Sequence, residues 1–180
     1  TARSFGTRGL VIWLVLIGLA VGLFVLLTVG RNLYSDWLWF ENLSFTAPFL
    51  TIISTRVVLF LVGSLAFAVI FLANVLVAYR ISGREISDFM AEVVFKWVRR
   101  LMFIGLIVLT LILSVVFGAI TSSAWDTYLT FVNSVPFGKA DPIFQTDISF
   151  YVFSLPALRF LQGWLLGAVI VSALGVLGVY

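Results

Sequence analysis

The side chains able to do chemistry are few and unevenly placed. The carboxylates Asp36, Glu41, Asp126, Asp141 and Asp147 all lie between long apolar runs rather than inside them. Such groups can bind a hard cation through several oxygen ligands, or work in pairs as acid and base. The spacing of Asp126, Asp141 and Asp147 matches no calcium loop, and the sequence alone sets no pair at a working separation. Turn and cap roles account for them. Asp141 precedes Pro142, which suits a turn, and Asp147 is placed to cap a short helix opening at Ile148. There is no cysteine and no histidine, which excludes disulfides, thiolate and imidazole metal sites and Ser-His-Asp triads within these residues. No catalytic residue, metal ligand or cofactor is therefore assigned, and the chain is not expected to be an enzyme.

Aromatic residues are the other concentrated resource. Tyr34, Trp37, Trp39, Phe40 and Phe45 crowd one short segment. Tyr and Trp favour the lipid headgroup layer, where an apolar ring and a polar edge are both satisfied. The segment is expected to lie along that layer, with a cofactor or pigment platform as the sharper alternative. A second cluster follows Asp141: Ile143, Phe144, Ile148, Phe150, Tyr151, Val152 and Phe153. In water these would expose apolar area at about 25 cal/mol per Å². Extended backbone cannot escape into hydrocarbon with unpaired N–H and C=O groups. Asp141 to Pro156 is thus expected to be ordered on the protein surface, reaching the segment around Trp37 and Phe40. Tyr34, Trp37, Phe40, Asp141, Phe144, Asp147, Phe150, Tyr151 and Phe153 make up the candidate partner-binding surface.

The elements that must position these residues follow from hydropathy. The chain is 62% hydrophobic and 11% charged, with a mean hydropathy of +1.18, far from the balance of a soluble domain. Four uncharged runs are long enough to cross a bilayer: about 10–29, 57–79, 101–120 and 161–180. The fold class is all-α, a polytopic helical membrane protein with four transmembrane helices plus interfacial amphipathic helices. Outer loops are expected over 31–56 and 121–160. Within the second of these, Trp125, Tyr128, Leu129 and Val132 suggest a short helix ended by Pro136 and Gly138, followed by an extended stretch from Asp141 to Leu155. The net charge of +3 and the pI near 9.6 arise from basic residues at helix ends. That pattern is topogenic rather than a nucleic-acid footprint, so the expected partners are the lipid bilayer and other membrane-protein subunits, not nucleic acid.

The tail and second loop hold Arg3, Arg8, Arg80, Arg84, Lys96, Arg99 and Arg100, against Arg31, Arg56, Lys139 and Arg159 on the other side. The positive-inside bias then puts the N-terminus in the cytoplasm. From Ile86, apolar residues at Phe89, Met90, Val93, Val94 and Trp97 follow helical spacing, with Arg84, Glu85, Asp88, Glu92, Lys96 and Arg99 opposite. Ser82 with Glu85 has capping-box spacing, and Glu92 with Lys96 is a favourable pair four apart. An interfacial helix over 84–97 is predicted, serving as a connector on the membrane surface. Gly18 with Gly22 and Gly163 with Gly167 have GxxxG spacing, read as packing within the molecule rather than a dimer face. No span carries a central charge, and Asn74 and Gln162 lie near span ends, which disfavours transport by these helices alone.

Two stretches, YSDWLWFENLSF (Tyr34 to Phe45) and DPIFQTDISFYVFSLPALRF (Asp141 to Phe160), resemble signatures of uncharacterised protein family 0182. These are large bacterial membrane proteins with an N-terminal helical region and a large extracytoplasmic domain. The resemblance is carried mainly by Asp141, Pro142, Phe144, Asp147, Phe150, Tyr151, Phe153, Leu155 and Pro156. Gln145 and Ser149 depart from it, since smaller residues, often glycine, are expected there. Membership implies the N-terminal part of a longer protein in the cytoplasmic (inner) membrane, an expectation that also fits a sequence running from Thr1 to Tyr180. It implies no activity. The leading expectation is a membrane anchor or complex subunit presenting an extracytoplasmic region. The alternative is a transporter or channel component whose ionisable residues lie in further helices.

The orientation is testable because no native thiol interferes within these residues. A single cysteine at Ser134 is expected to react with an impermeant reagent in intact cells, and one at Ser87 to react only after permeabilisation; the reverse pattern contradicts the assigned topology.

Overall fold

The structure, a computed structural model, describes residues 7–82 and 92–177. Among them it contains only helices, turns and one isolated bridge. The helices are α1 (Thr7–Asn42), α2 (Thr46–Ser82), α3 (Glu92–Ser123), α4 (Trp125–Val132) and α5 (Leu155–Leu177), with a wide π-helical turn at Phe150–Ser154 leading into α5. Four helices are long and apolar enough to cross a membrane: Leu16–Asn42, Thr46–Ala78, Phe103–Ser123 and Phe150–Gly175. The all-α, membrane-spanning type of fold is as expected. Two compact units divide the chain, Thr1–Thr51 and Ile52–Tyr180.

The helices extend well beyond the expected spans, and two expected loops are corrected. α1 and α2 contain 36 and 37 residues, about 55 Å each, against a hydrocarbon core of about 30 Å. The expected loop over 31–56 is helical except for three residues, Leu43 to Phe45. No Gly or Pro falls between Arg31 and Asn42, and nothing before Ser44 breaks the helix. There the chain turns through a Schellman motif: the Phe45 N–H donates to the Phe40 carbonyl at 2.9 Å and the Ser44 N–H to that of Glu41 at 3.0 Å. Ser44 takes the left-handed conformation (φ 60°) usually left to glycine. Pro48 is accepted because it falls in the first turn of α2, where an N–H has no partner in the helix. The loop over 121–160 likewise contracts, since α3 runs to Ser123 and a helical path resumes at Ile148.

Of the predicted interfacial helix, residues 84–91, and with them Glu85, Asp88 and Phe89, lie outside the described residues. Residues 92–97 are the opening turns of α3, continuous with the span that follows.

The second unit is organised on an aromatic seam. Phe67 and Phe71 of α2 are fully buried, and Phe117 of α3 and Trp164 of α5 are nearly so. Phe67 stacks on Phe117 with ring centroids 4.1 Å apart, and Phe117 meets Trp164 edge-on at 5.5 Å. Small residues let the backbones come close enough for this. A Cβ at Gly63 would strike the Thr121 side chain, and one at Gly118 would strike Ser64 Oγ and lie 2.8 Å from the Phe60 carbonyl oxygen. A Cβ at Gly175 would likewise strike the Phe71 ring, 2.6 Å from Cε2. Gly18, Gly22 and Gly163, by contrast, have no described atom within 4 Å of the added Cβ. Close packing therefore falls on glycines outside the two GxxxG pairs, apart from a 3.9 Å approach of Gly167 to Phe117.

Gly118→Ala is expected to lower the stability of the detergent-solubilised protein by about 1–3 kcal/mol through overpacking. Gly163→Ala, entering open space, is expected to leave the melting temperature unchanged or raised. Equal effects at the two positions would contradict the α2–α3 approach.

Candidate functional site

The segment between α4 and α5 is short of regular structure but dense in hydrogen bonds. Ala140 and Asp147 form an antiparallel bridge, flanked by Asp141 N–H to the Thr146 carbonyl at 2.8 Å and Ile148 N–H to the Lys139 carbonyl at 3.0 Å. Residues 142–144 turn the chain, as the Asp-Pro pair predicts. The turn is held by two bonds to Asp141: its carbonyl accepts the Gln145 N–H at 2.9 Å, and its Oδ2 accepts the Phe144 N–H at 2.9 Å. The same Oδ2 accepts the Tyr151 hydroxyl at 3.3 Å, tying the turn to the helix that follows. The expected extended stretch from Asp141 to Leu155 is thus a closed turn and then a helix, because two carboxylates supply local acceptors that an open strand would leave unused.

Asp147 is the larger organiser. Its Oδ1 accepts the Ser149 N–H at 2.8 Å and the Phe137 N–H at 3.1 Å, while Oδ2 accepts the Gly138 N–H at 2.8 Å. The first of these is the N-cap that the sequence predicts for a helix opening at Ile148. The other two fasten the chain leaving α4, where Gly138 takes φ 68°. The Ser149 hydroxyl, followed by the Ser149, Phe137 and Gly138 N–H groups, stabilises the carboxylate and holds its pKa at about 2, below the usual 3.8. Phe137 also packs edge-on against Phe153 at 5.6 Å.

The wide turn at Phe150–Ser154 has a local cause. In a regular helix the Pro156 ring would meet the Val152 carbonyl, and Pro156 has no N–H to donate. The π turn shifts the pattern, with the Leu155 N–H donating to the Phe150 carbonyl. Pro156 therefore sits within a continuous helical path, and the fourth span opens several turns before residue 161.

The expected surface residues divide by role. Asp141 and Asp147 spend their oxygens on the loop itself, and Phe150, Tyr151 and Phe153 are half-buried. Phe144 remains 72% exposed beside Ile143 at 78%. In the first unit, Tyr34 and Trp37 lie one turn apart on α1 with centroids at 6.0 Å, and Phe40 is half-buried against Trp39 and Phe49. Gln145 has φ 54°, the left-handed region that favours glycine, which gives a physical reason for the smaller residue expected there. Among the described residues no cluster of three acidic, Cys or His side chains is placed to hold a metal. A feature the sequence reading missed is a cleft of about 330 Å³ lined by Phe117, Ile120, Arg159, Phe160, Gly163, Trp164 and Gly167. Its only advance signal is the spacing of four that puts Arg159, Gly163 and Gly167 on one stripe of α5.

Because the folded pKa of Asp147 lies below its unfolded value, its ordering contribution is complete above about pH 3.8 and is lost as pH falls through about 2. Hydrogen exchange of the Phe137, Gly138 and Ser149 amides is expected to rise by roughly fivefold or more in Asp147→Ala at neutral pH. Unchanged exchange would mean the carboxylate does not hold the loop.

Comparison with known proteins bears on this geometry. Residues 11–180 match the family model described as Uncharacterised protein family (UPF0182). The UPF0182 protein of Salinispora tropica is 36% identical over 173 residues, covering 92% of this chain and 17% of that relative. That of Micrococcus luteus is 35% identical over 171 residues, covering 92% and 16%. That of Rhodococcus jostii is 38% identical over 169 residues, covering 88% and 17%. The chain thus spans about one sixth of the length of these relatives. No solved structure is significantly similar to it.

Proposed function

We propose that this chain, which belongs to the uncharacterised protein family UPF0182, is the non-enzymatic membrane anchor of a larger protein, holding an extracytoplasmic region or a partner subunit. It lies in the bacterial cytoplasmic membrane with its N-terminus inside, so that the loop after α4 faces outward. The observation that carries the reading is the Ile143–Phe144 tip. Two large apolar side chains stand 78% and 72% exposed on a turn fixed by hydrogen bonds that Asp141 and Asp147 accept. An ordered apolar tip loses little conformational entropy on being covered, which suits it to protein docking. The relatives' further length supplies abundant polypeptide to cover it. On α1, the exposed Tyr34 and Trp37 rings offer an apolar surface of their own for the same kind of partner.

The test is photo-crosslinking in the intact protein in its native membrane. A photoreactive residue at Phe144 is expected to capture a later segment of the same polypeptide or another membrane-protein subunit, and Ile143→Ser to reduce that yield. Adducts with lipid alone would contradict the docking role.

A further inference from the structure

We infer that the cleft between α3 and α5 is a binding site for an anionic phospholipid, its acyl chain along the α5 stripe and its phosphate on Arg159. The cleft exists because Gly163 has no side chain and nothing described approaches within 4 Å of the Cβ it would carry. Its walls are almost wholly apolar: Phe117 and Ile120 from α3, and Phe160 and Trp164 from α5. Its volume of about 330 Å³ is at the lower end of the range for small-ligand sites, and it is open along one side.

The polarity is ordered along its length. Arg159 stands at one end, one turn into α5, exposed and with no ion pair or hydrogen bond to another described residue. Gly163 and Gly167 continue inward at intervals of four residues, so the groove runs about 12 Å along the helix from the guanidinium. Arg159 lies about 13 Å along the helical segment Phe150–Gly175, in its outer part, and a cation there with an apolar channel leading inward is complementary to a phospholipid, head outward and tail down. Guanidinium binds phosphate oxygens through two parallel N–H donors and is weakly hydrated, which favours this pairing at a membrane interface. A packed helix would meet Gly163 equally well, but would leave Arg159 facing hydrocarbon or needing an acidic partner at that depth.

The intact protein is to be reconstituted with phosphatidylglycerol and phosphatidylcholine of identical acyl chains, and retained lipid read by native mass spectrometry. The wild type is expected to retain phosphatidylglycerol at least fivefold over phosphatidylcholine. Gly163→Leu, whose Cβ enters open space and whose longer side chain would occupy the cleft, is expected to lose the retained lipid. Arg159→Gln is expected to keep binding but lose the headgroup preference. Retention of phosphatidylglycerol unchanged in both variants would overturn the assignment, as would a photoreactive residue at Gly163 that captures a helix of the same polypeptide instead of lipid. Elution of each variant as a monodisperse species confirms folding, and Arg159→Gln, altering only an exposed side chain, carries the test if Gly163→Leu does not meet that standard.

Discussion

Phe67 and Phe117 can stack only because, where α2 and α3 cross, a glycine on each helix faces a small side chain of the other. Lipid tails are as apolar as leucine, so apolar burial alone gives helices in a membrane little reason to associate. What remains is dispersion between well-fitted surfaces and the hydrogen bonds each helix keeps to itself. Gly63 and Gly118 meet that condition by presenting backbone to the opposing Thr121, Ser64 and Phe60. Once the backbones are that close, the aromatic rings on the next turns overlap. Phe67 stacks on Phe117, Phe71 continues the seam towards Gly175, and Trp164 closes it from α5. Threonine hydroxyls along it are kept within their own helices, Thr110 donating to the Leu106 carbonyl and Thr121 to that of Phe117. That leaves the interhelical contacts to packing.

The loop end of the unit obeys a different constraint, the need to pair every backbone group near the membrane. Asp141 and Asp147 act as local acceptors for N–H groups that have no strand or helix partner, and the Ala140–Asp147 bridge pairs further backbone groups on either side of it. Arg56 of α2 lies over the Trp125 ring of α4 at 5.0 Å, which couples this end to the packed helices without an ion pair. A rigid loop follows from these bonds, and its apolar tip is then a feature of the folded state rather than of a wandering segment.

Much of this was legible in the sequence, for definite physical reasons. Hydropathy located four spans because composition alone decides what lipid tolerates, and Asp147 read correctly as a helix cap because capping is local chemistry. Trp125 to Val132 showed its helix through spacing. The helix ends were not legible. Polar and aromatic residues from Arg31 to Asn42 resemble a loop, yet the helix persists until Ser44 and Phe45 close it. Pro156 reads as a break, whereas the wide turn before it absorbs the missing donor. The GxxxG pairs also misled, because spacing cannot reveal whether a glycine faces another helix: Gly163 faces open space, and Gly63 and Gly118, in no such pair, carry the contact. Ile143 and Phe144 belong to a cluster whose burial depends on the path of the turn, which no residue pattern encodes.

The central claim is that stacked aromatic rings across a close α2–α3 approach hold the packed unit together. The direct measurement is a double-mutant cycle on the detergent-solubilised protein, with Phe67→Leu, Phe117→Leu and the pair compared by reversible unfolding. Rings in contact at 4.1 Å predict a favourable coupling of about 0.5–1.5 kcal/mol beyond the separate effects. Strictly additive losses would contradict the account, since they would mean that the two rings do not meet.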